Sequence, residues 1–140
     1  MYHAVESDFE KVKEIFYSHK KWFPHIRTDY MKRMIAKNNL ILDNGVVITY
    51  NFYKRKQKVG DIQAYKDDCI LHQIAAKNKG TASDVLQRFF KFVNRRVYLS
   101  VRSDNDIAKN FYLKNNMKLV GKTSWAKGTL PGDVYVYNEN

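Results

Sequence analysis

A chain of 140 residues, 44% of them apolar, has the material for one substantial core, which excludes a disordered tail. Its 25 Lys and Arg against 14 Asp and Glu give a net charge of +11, which favours polyanionic partners such as nucleic acid, anionic lipid or a phosphorylated cofactor. Cys69 is the single cysteine, so no intrachain disulfide forms, and no apolar run approaches the roughly 20 residues of a membrane span; a reducing, cytoplasmic setting without membrane contact is expected.

Met1 to Val5 reads as a short first strand. Ser7 then caps a helix, with Glu10 completing a capping box and Phe9, Val12, Ile15 and Phe16 forming its apolar stripe up to Lys20–Lys21. WFPHI is a loop, and a second helix starts near Thr28 with Tyr30, Met31, Met34 and Ile35 on one face. Leu40 to Asp43 is a strand. Asn44-Gly45 predicts a type I′ hairpin, and VVITYNFY is the partner strand. KRKQKVGD reads as a basic turn, Ile62 to Tyr65 as a strand, and Cys69 to Ala76 as a strand apolar enough to be buried on both faces.

Val85, Leu86, Phe89, Phe90 and Val93 repeat at helical spacing, starting near Ala82 or Ser83. Val97 to Val101 is a strand. A helix then starts at Asp104 or Asn105 with Ile107, Ala108, Phe111 and Tyr112 inward, and Asn115 or Asn116 ends it in a left-handed cap. Leu119 to Trp125 and Val134 to Tyr137 close the chain, with LPGD as the turn between them. The order βααβββαβαββ implies one domain over residues 1–140, of the α/β (α+β) class: a mixed, mostly antiparallel central sheet with helices on both faces.

The loop KNKGT joins the buried strand to the helix that starts near Ala82. Helix amino termini leave N–H groups unpaired and carry positive partial charge, and a glycine lets a ligand approach the backbone. Lys77 and Lys79 add full charges, so the stretch has the makings of a phosphate cradle. It is neither GxxxxGK[ST] nor GxGxxG. An ordinary strand-to-helix turn containing one glycine is the plain alternative.

The Gly80–Ala82 spacing, followed by VRSDNDIAKNFYLKNNMKLVG, resembles the GNAT family of N-acetyltransferases. That family carries a Q/R-x-x-G-x-G/A loop for the pyrophosphate of acetyl-CoA and, downstream, N-x-x-A-x-x-F/L-Y-x-x-x-G-F/M. The second pattern is matched by Asn105, Ala108, Phe111, Tyr112, Asn116 and Met117. Lys77 stands where Gln or Arg is usual, and Asn116 where Gly is usual.

The resemblance implies acetyl-CoA as cofactor and direct attack of an amine on its thioester. Lys77, Asn78, Lys79, Gly80, Thr81 and Ala82 would bind the pyrophosphate. Ile74, Ala75 and Ala76 would pair with the pantetheine arm, and Asn105 would contact it. Tyr112 would protonate the leaving thiolate, a phenol near pKa 10 being well matched to a thiol. His72 stands mid-strand as a candidate general base, with Asp29, His19 and His25 as further ones. Trp22, Tyr30 and Trp125 are candidate walls for an acceptor, a small-molecule or protein amine. The four histidines show no metal-ligand spacing, so no metal is expected. A monomer or homodimer fits this reading.

Two other functions fit the same residues. The charge and the mix of Trp, Tyr and Lys suit a nucleic-acid-modifying or nucleic-acid-binding protein. The run YSHK at Tyr17–Lys20 is similar to the phage Mom DNA-modification proteins, an offshoot of the same fold. A member of the fold that binds CoA or a partner without catalysis is the third.

Overall fold

Three short capping and turn choices set the amino-terminal course of the chain. The structure is a computed structural model describing residues 1–24 and 26–138; His25, one of the candidate bases, lies outside the described residues. The Met1–Val5 strand is reduced to one antiparallel bridge, His3↔Ile41. Its extension stops because the Asp8 carboxylate accepts the Val5 N–H at 2.9 Å and draws Glu6–Asp8 into a 3-10 turn. That turn, and not a Ser7 cap, leads into α1, Phe9–Tyr17. α1 ends earlier than the Lys20–Lys21 pair, and α2, Thr28–Ala36, follows as its apolar face predicts.

β1, Leu40–Asp43, and β2, Val46–Phe52, form the predicted hairpin. Asn44 and Gly45 have φ of 49° and 75°, the pair of positive values a type I′ turn needs. KRKQKVGD holds a strand as well as turns: β3, Gln57–Val59, pairs antiparallel with β4, Ile62–Ala64, in a separate two-stranded sheet. Next come β5, Cys69–Ala76; α3, Ala82–Val93; β6, Val97–Arg102; α4, Asp106–Lys114; β7, Lys118–Trp125; and β8, Leu130–Tyr137. Six strands make one sheet in the order β1-β2-β5-β6-β8-β7. β5 and β6 pair in parallel; β1–β2, β6–β8 and β7–β8 pair antiparallel. This is the mixed, mostly antiparallel, helix-flanked sheet that the element order implies.

Chain contacts separate two compact units, Met1–Tyr50 with His72–Phe89, and Asn51–Leu71 with Phe90–Asn140. The first holds a core of Val12, Ile15 and Phe16 from α1, Met31 and Met34 from α2, and Leu40, Val47 and Ala75 from the strands. The second packs Val59, Ala64, Tyr98 and Val134, and stacks Phe90 on Tyr137 at 3.9 Å. Removing such apolar side chains from water is worth roughly 1.5–3 kcal/mol each.

Three further expectations are corrected. β5 is not buried on both faces: Cys69, Leu71 and Ala75 are buried on alternate positions while His72 is exposed. Ile107 is 84% exposed, so α4 turns it outward. LPGD is not the closing turn, since Pro131, Gly132 and Asp133 are rungs of β8 against Ser124, Thr123 and Lys122. The turn is Ala126–Gly128, three successive positive φ values. Gly132 belongs in the strand for packing reasons: the Trp125 ring lies where its Cβ would be, 2.5 Å away.

Candidate active site

The loop at residues 77–81 is braced on both sides by the β1–β2 hairpin. The Lys77 N–H donates to Gly45 O at 2.8 Å, so the hairpin turn fixes where the loop leaves β5. Asp43, at the end of β1, takes a two-point hydrogen bond from Arg88 of α3 at 2.9 and 3.0 Å, and Arg88 also reaches Asp84 at 3.0 Å. This guanidinium, held against two carboxylates, locks the first turns of α3 to the hairpin.

Between these anchors the main chain is open. Among the described residues, the N–H groups of Asn78, Lys79, Gly80 and Ala82 have no partner, while Lys79–Gly80 form a turn that Thr81 closes on the Asn78 carbonyl. Gly80 has φ +90°, and a Cβ placed on it would meet nothing within 4 Å. The glycine therefore answers a backbone requirement, and the space above it is unfilled. Lys77 and Lys79 are exposed beside it. The Lys77 amide, held by Gly45, is spent on the fold, as is the Thr81 hydroxyl, which donates to the Asn78 carbonyl at 3.2 Å; the Lys77 ammonium is not.

On β5 the predicted arm-binding residues are half accounted for. Ala75 turns its methyl into the first unit's core. The Ala76 carbonyl accepts a hydrogen bond from His19 Nε2 at 2.8 Å, so in the neutral tautomer His19 keeps its lone pair on Nδ1. Ile74 is half-buried. The parallel ladder of β5 with β6 consists of Cys69↔Val97 and Ile70↔Tyr98, although β5 continues to Ala76. His72 is open to solvent yet set among enough protein that burial lowers its pKa from the usual imidazole value. It is thus neutral at pH 7 and able to accept a proton.

A depression of about 440 Å³ lies within the first unit. Trp22, Phe23, Pro24 and Ile26 of the α1–α2 loop line one part; Arg27, Tyr30 and Arg33 of α2 and Gln73 of β5 line the rest. It thus joins two of the three predicted walls, Trp22 and Tyr30. The Tyr30 hydroxyl reaches Gln73 Oε1 at 2.9 Å and Thr49 Oγ1 at 3.2 Å, and Thr49 also bonds Gln73. Burial raises the Tyr30 pKa, so the phenol stays neutral. Gln73 and Arg33 were not among the expected site residues. Both carried a signal: Gln73 is the polar member of the Leu71-Gln73-Ala75 face, and Arg33 shares a helix face with Tyr30 at i+3.

The second unit holds the remaining predicted residues. Trp125 covers Gly132 and is 40% exposed. Asn105 is the N-cap of α4, its Oδ1 accepting the Ala108 N–H at 3.1 Å, which leaves its amide hydrogens for another partner. Asn116 takes φ +69° after the helix, the left-handed cap that lets it stand in for glycine. Tyr112 is buried, its ring centroid 5.6 Å from that of Phe111 and 6.0 Å from that of Tyr135, and burial raises its pKa. Its hydroxyl has no hydrogen-bond partner among the described residues, and no fully buried side-chain polar atom there lacks one; the hydroxyl is therefore not sealed in. Cys69 is buried with its thiol pKa pushed up by that burial, as a core filler and not a nucleophile.

No protein-family model matches the sequence, and no curated protein is significantly similar to it. Solved structures do match. An acetyltransferase of the GNAT family from Bacillus cereus is similar over 99% of this chain and 95% of that one, with 16% identity and a TM-score of 0.76. NAA60 of Arabidopsis thaliana, solved in complex with acetyl-CoA, is similar over 95% and 94%, with 15% identity and a TM-score of 0.66. A ribosomal-protein-alanine N-acetyltransferase from Brucella melitensis is similar over 96% of each chain, with 10% identity and a TM-score of 0.71. The chain has the GNAT fold.

Proposed function

We propose that residues 1–140 form a single acyl-CoA-binding domain that transfers an acetyl group from acetyl-CoA to an amine. The observation that carries this reading is the open, donor-only loop Asn78–Ala82 at the start of α3, on a fold whose relatives are acetyltransferases. The donor set fits a diphosphate: the free N–H groups of Asn78, Lys79, Gly80 and Ala82, an unfilled space at Gly80, and two lysine ammonium groups. When bound, acetyl-CoA supplies an activated thioester carbonyl.

The chain's own groups divide the remaining work. Asn78 to Ala82 and Lys77 and Lys79 hold the phosphates. Ile74 to Ala76 run past the last β5–β6 rung, and although the Ala76 carbonyl is engaged by His19 and the other edge of β5 by β2, main-chain groups on the β6 side would pair with an extended arm; an N–H among them would stabilise negative charge on a carbonyl oxygen. The Asn105 amide orients that arm. Tyr112 Oη keeps its proton throughout the physiological range and gives it to a departing thiolate; the same apolar surroundings that raise the phenol pKa raise that of a thiol beside it. His72 Nε2 or Nδ1, neutral at pH 7, takes the proton released by the amine, and His19 Nδ1 is the second group able to do so. Trp22 and Tyr30 wall the acceptor in the depression of the first unit.

The test is direct. Saturating acetyl-CoA is expected to raise the melting temperature, because a ligand that binds only the folded state stabilises it. Release of free thiol is expected with a subset of amines. Absence of any melting shift refutes the proposal. An acetyl-CoA shift with no thiol release on small amines, peptides and oligonucleotides leaves a CoA-binding protein without catalysis.

A further inference from the structure

The depression in the first unit has a chemical bias that the acetyltransferase reading leaves open. Among the described residues its charged lining groups, Arg27 and Arg33, are both cationic, and Lys21 adds an ammonium 5.0 Å from the Trp22 ring. Arg27 is paired at the surface with Asp29 at 3.1 Å. Arg33 is exposed, lies 5.6 Å from the Tyr30 ring centroid, and has no carboxylate partner among the described residues. Gln73 has its carboxamide oxygen engaged by the hydroxyls of Thr49 and Tyr30, which turns its NH2 the other way as a two-hydrogen donor. The polar lining is thus built of donors: two guanidinium groups, a carboxamide NH2, and a neutral phenol already spent on Gln73.

Among the described residues the one carboxylate beside it, Asp29, is already paired with Arg27, so a cationic acceptor meets mainly like charge, well inside the roughly 10 Å range over which salt leaves charges coupled. An acceptor with an oxyanion meets a free planar fork that matches carboxylate and phosphate geometry, with Trp22 and Phe23 to cover its apolar part. A volume of about 440 Å³ lies in the range of small-molecule sites. We infer that the acceptor is a small amine carrying a carboxylate or a phosphate, whose oxyanion is held by Arg33 and the Gln73 amide. This rests on the acetyltransferase reading for the word acceptor; the preference for an anion does not.

The experiment has two readouts. Protein labelled with 5-fluorotryptophan gives separate 19F resonances for Trp22 and Trp125. Titration with L-glutamate (the carboxylate arm) and phosphoethanolamine (the phosphate arm) is expected to move the Trp22 resonance to saturation, while putrescine moves it little. Arg33→Glu is expected to weaken the tighter anion by about tenfold or more, and Arg33→Lys by less, because charge is kept and the fork is lost. Thiol release from acetyl-CoA with the same amines is expected to rank them in the same order. Equal or tighter binding of putrescine, no binding of either anion, or an unchanged anion affinity in Arg33→Glu overturns the inference. Anion binding at Trp22 without any acetyl-CoA melting shift keeps it and removes the acetyltransferase reading instead.

Discussion

Gly80→Ala separates a phosphate cradle from an ordinary turn. Gly80 has φ +90° and no atom within 4 Å of a built Cβ, so the substitution carries conformational strain and no clash. Left-handed backbone costs an L-residue about 1–2 kcal/mol, which for a chain near this size lowers Tm by roughly 3–6 °C. Gly128 is a matched control, with φ +89° and equally open space, in the β7–β8 turn. Both variants are expected to lose the same stability in a melting scan without ligand. Acetyl-CoA at about 100 times its Kd adds about 2.7 kcal/mol to the native chain and to Gly128→Ala. In Gly80→Ala the new methyl stands where an oxyanion must approach the amides. A tenfold loss of affinity leaves about 1.4 kcal/mol at the same concentration, so the ligand-induced shift falls by about half. If Gly80→Ala and Gly128→Ala show the same acetyl-CoA shift, the loop is a turn and nothing more.

Tyr112→Phe keeps the buried ring and removes the proton; kcat is expected to fall 10²-fold or more with the acetyl-CoA melting shift unchanged, and retained kcat rejects the acid role. Asp133 is 1% exposed, roofed by Lys122 Nζ at 2.7 Å and Lys109 Nζ at 3.1 Å, with Ser103 Oγ at 2.9 Å; the Lys122 contact, with Ser103 and Lys109, draws its pKa to about 2. A depressed carboxyl pKa gives stability above the unfolded value near 3.8 that is lost as pH falls through about 2. Asp133→Asn is therefore expected to cost about 1–2 kcal/mol in urea unfolding at pH 7, trimmed by the exposure of Lys122, with the deficit shrinking below pH 4. Burial lowers the His72 pKa from the usual imidazole value, so if His72 is the base, kcat/KM loses activity only below the ordinary imidazole range. His72→Gln is expected to abolish that limb, and a limb that tracks each acceptor's own amine pKa instead excludes His72.

The parts of the molecule legible in the sequence are those set by local chemistry. Asn44-Gly45, the α3 apolar repeat and the left-handed Asn116 each follow from a conformational or periodic rule that the rest of the chain does not override. The misread parts are those decided by partners far away in sequence. LPGD has the composition of a turn, but the Trp125 ring needs Gly132 beneath it and β7 pairs through Pro131, so the strand runs on. Ser7 has the right spacing for a cap, yet Asp8 captures the Val5 N–H first. For the site, the glycine and lysines were visible; the brace from Gly45 and the Asp43–Arg88 pair was not, because nothing local marks a carbonyl 32 residues upstream as the partner of Lys77.

The distribution of charge bears on what the +11 is for. Asp43, Asp68, Asp84, Asp104 and Asp133 each lie against an arginine or lysine, so these carboxylates are consumed locally in holding elements together. The cations left without such partners include Lys77 and Lys79 at the cradle and Arg33 in the depression. On the proposed function, a field arranged this way would raise the local concentration of a multiply charged anion at the loop 77–81 and of an anionic amine at the depression. On that proposal the basic excess would have a use that involves no nucleic acid. It also sets a physical sign: association of both ligands is expected to slow as salt rises, and less steeply once Lys77, Lys79 or Arg33 is neutralised than when an exposed lysine elsewhere is.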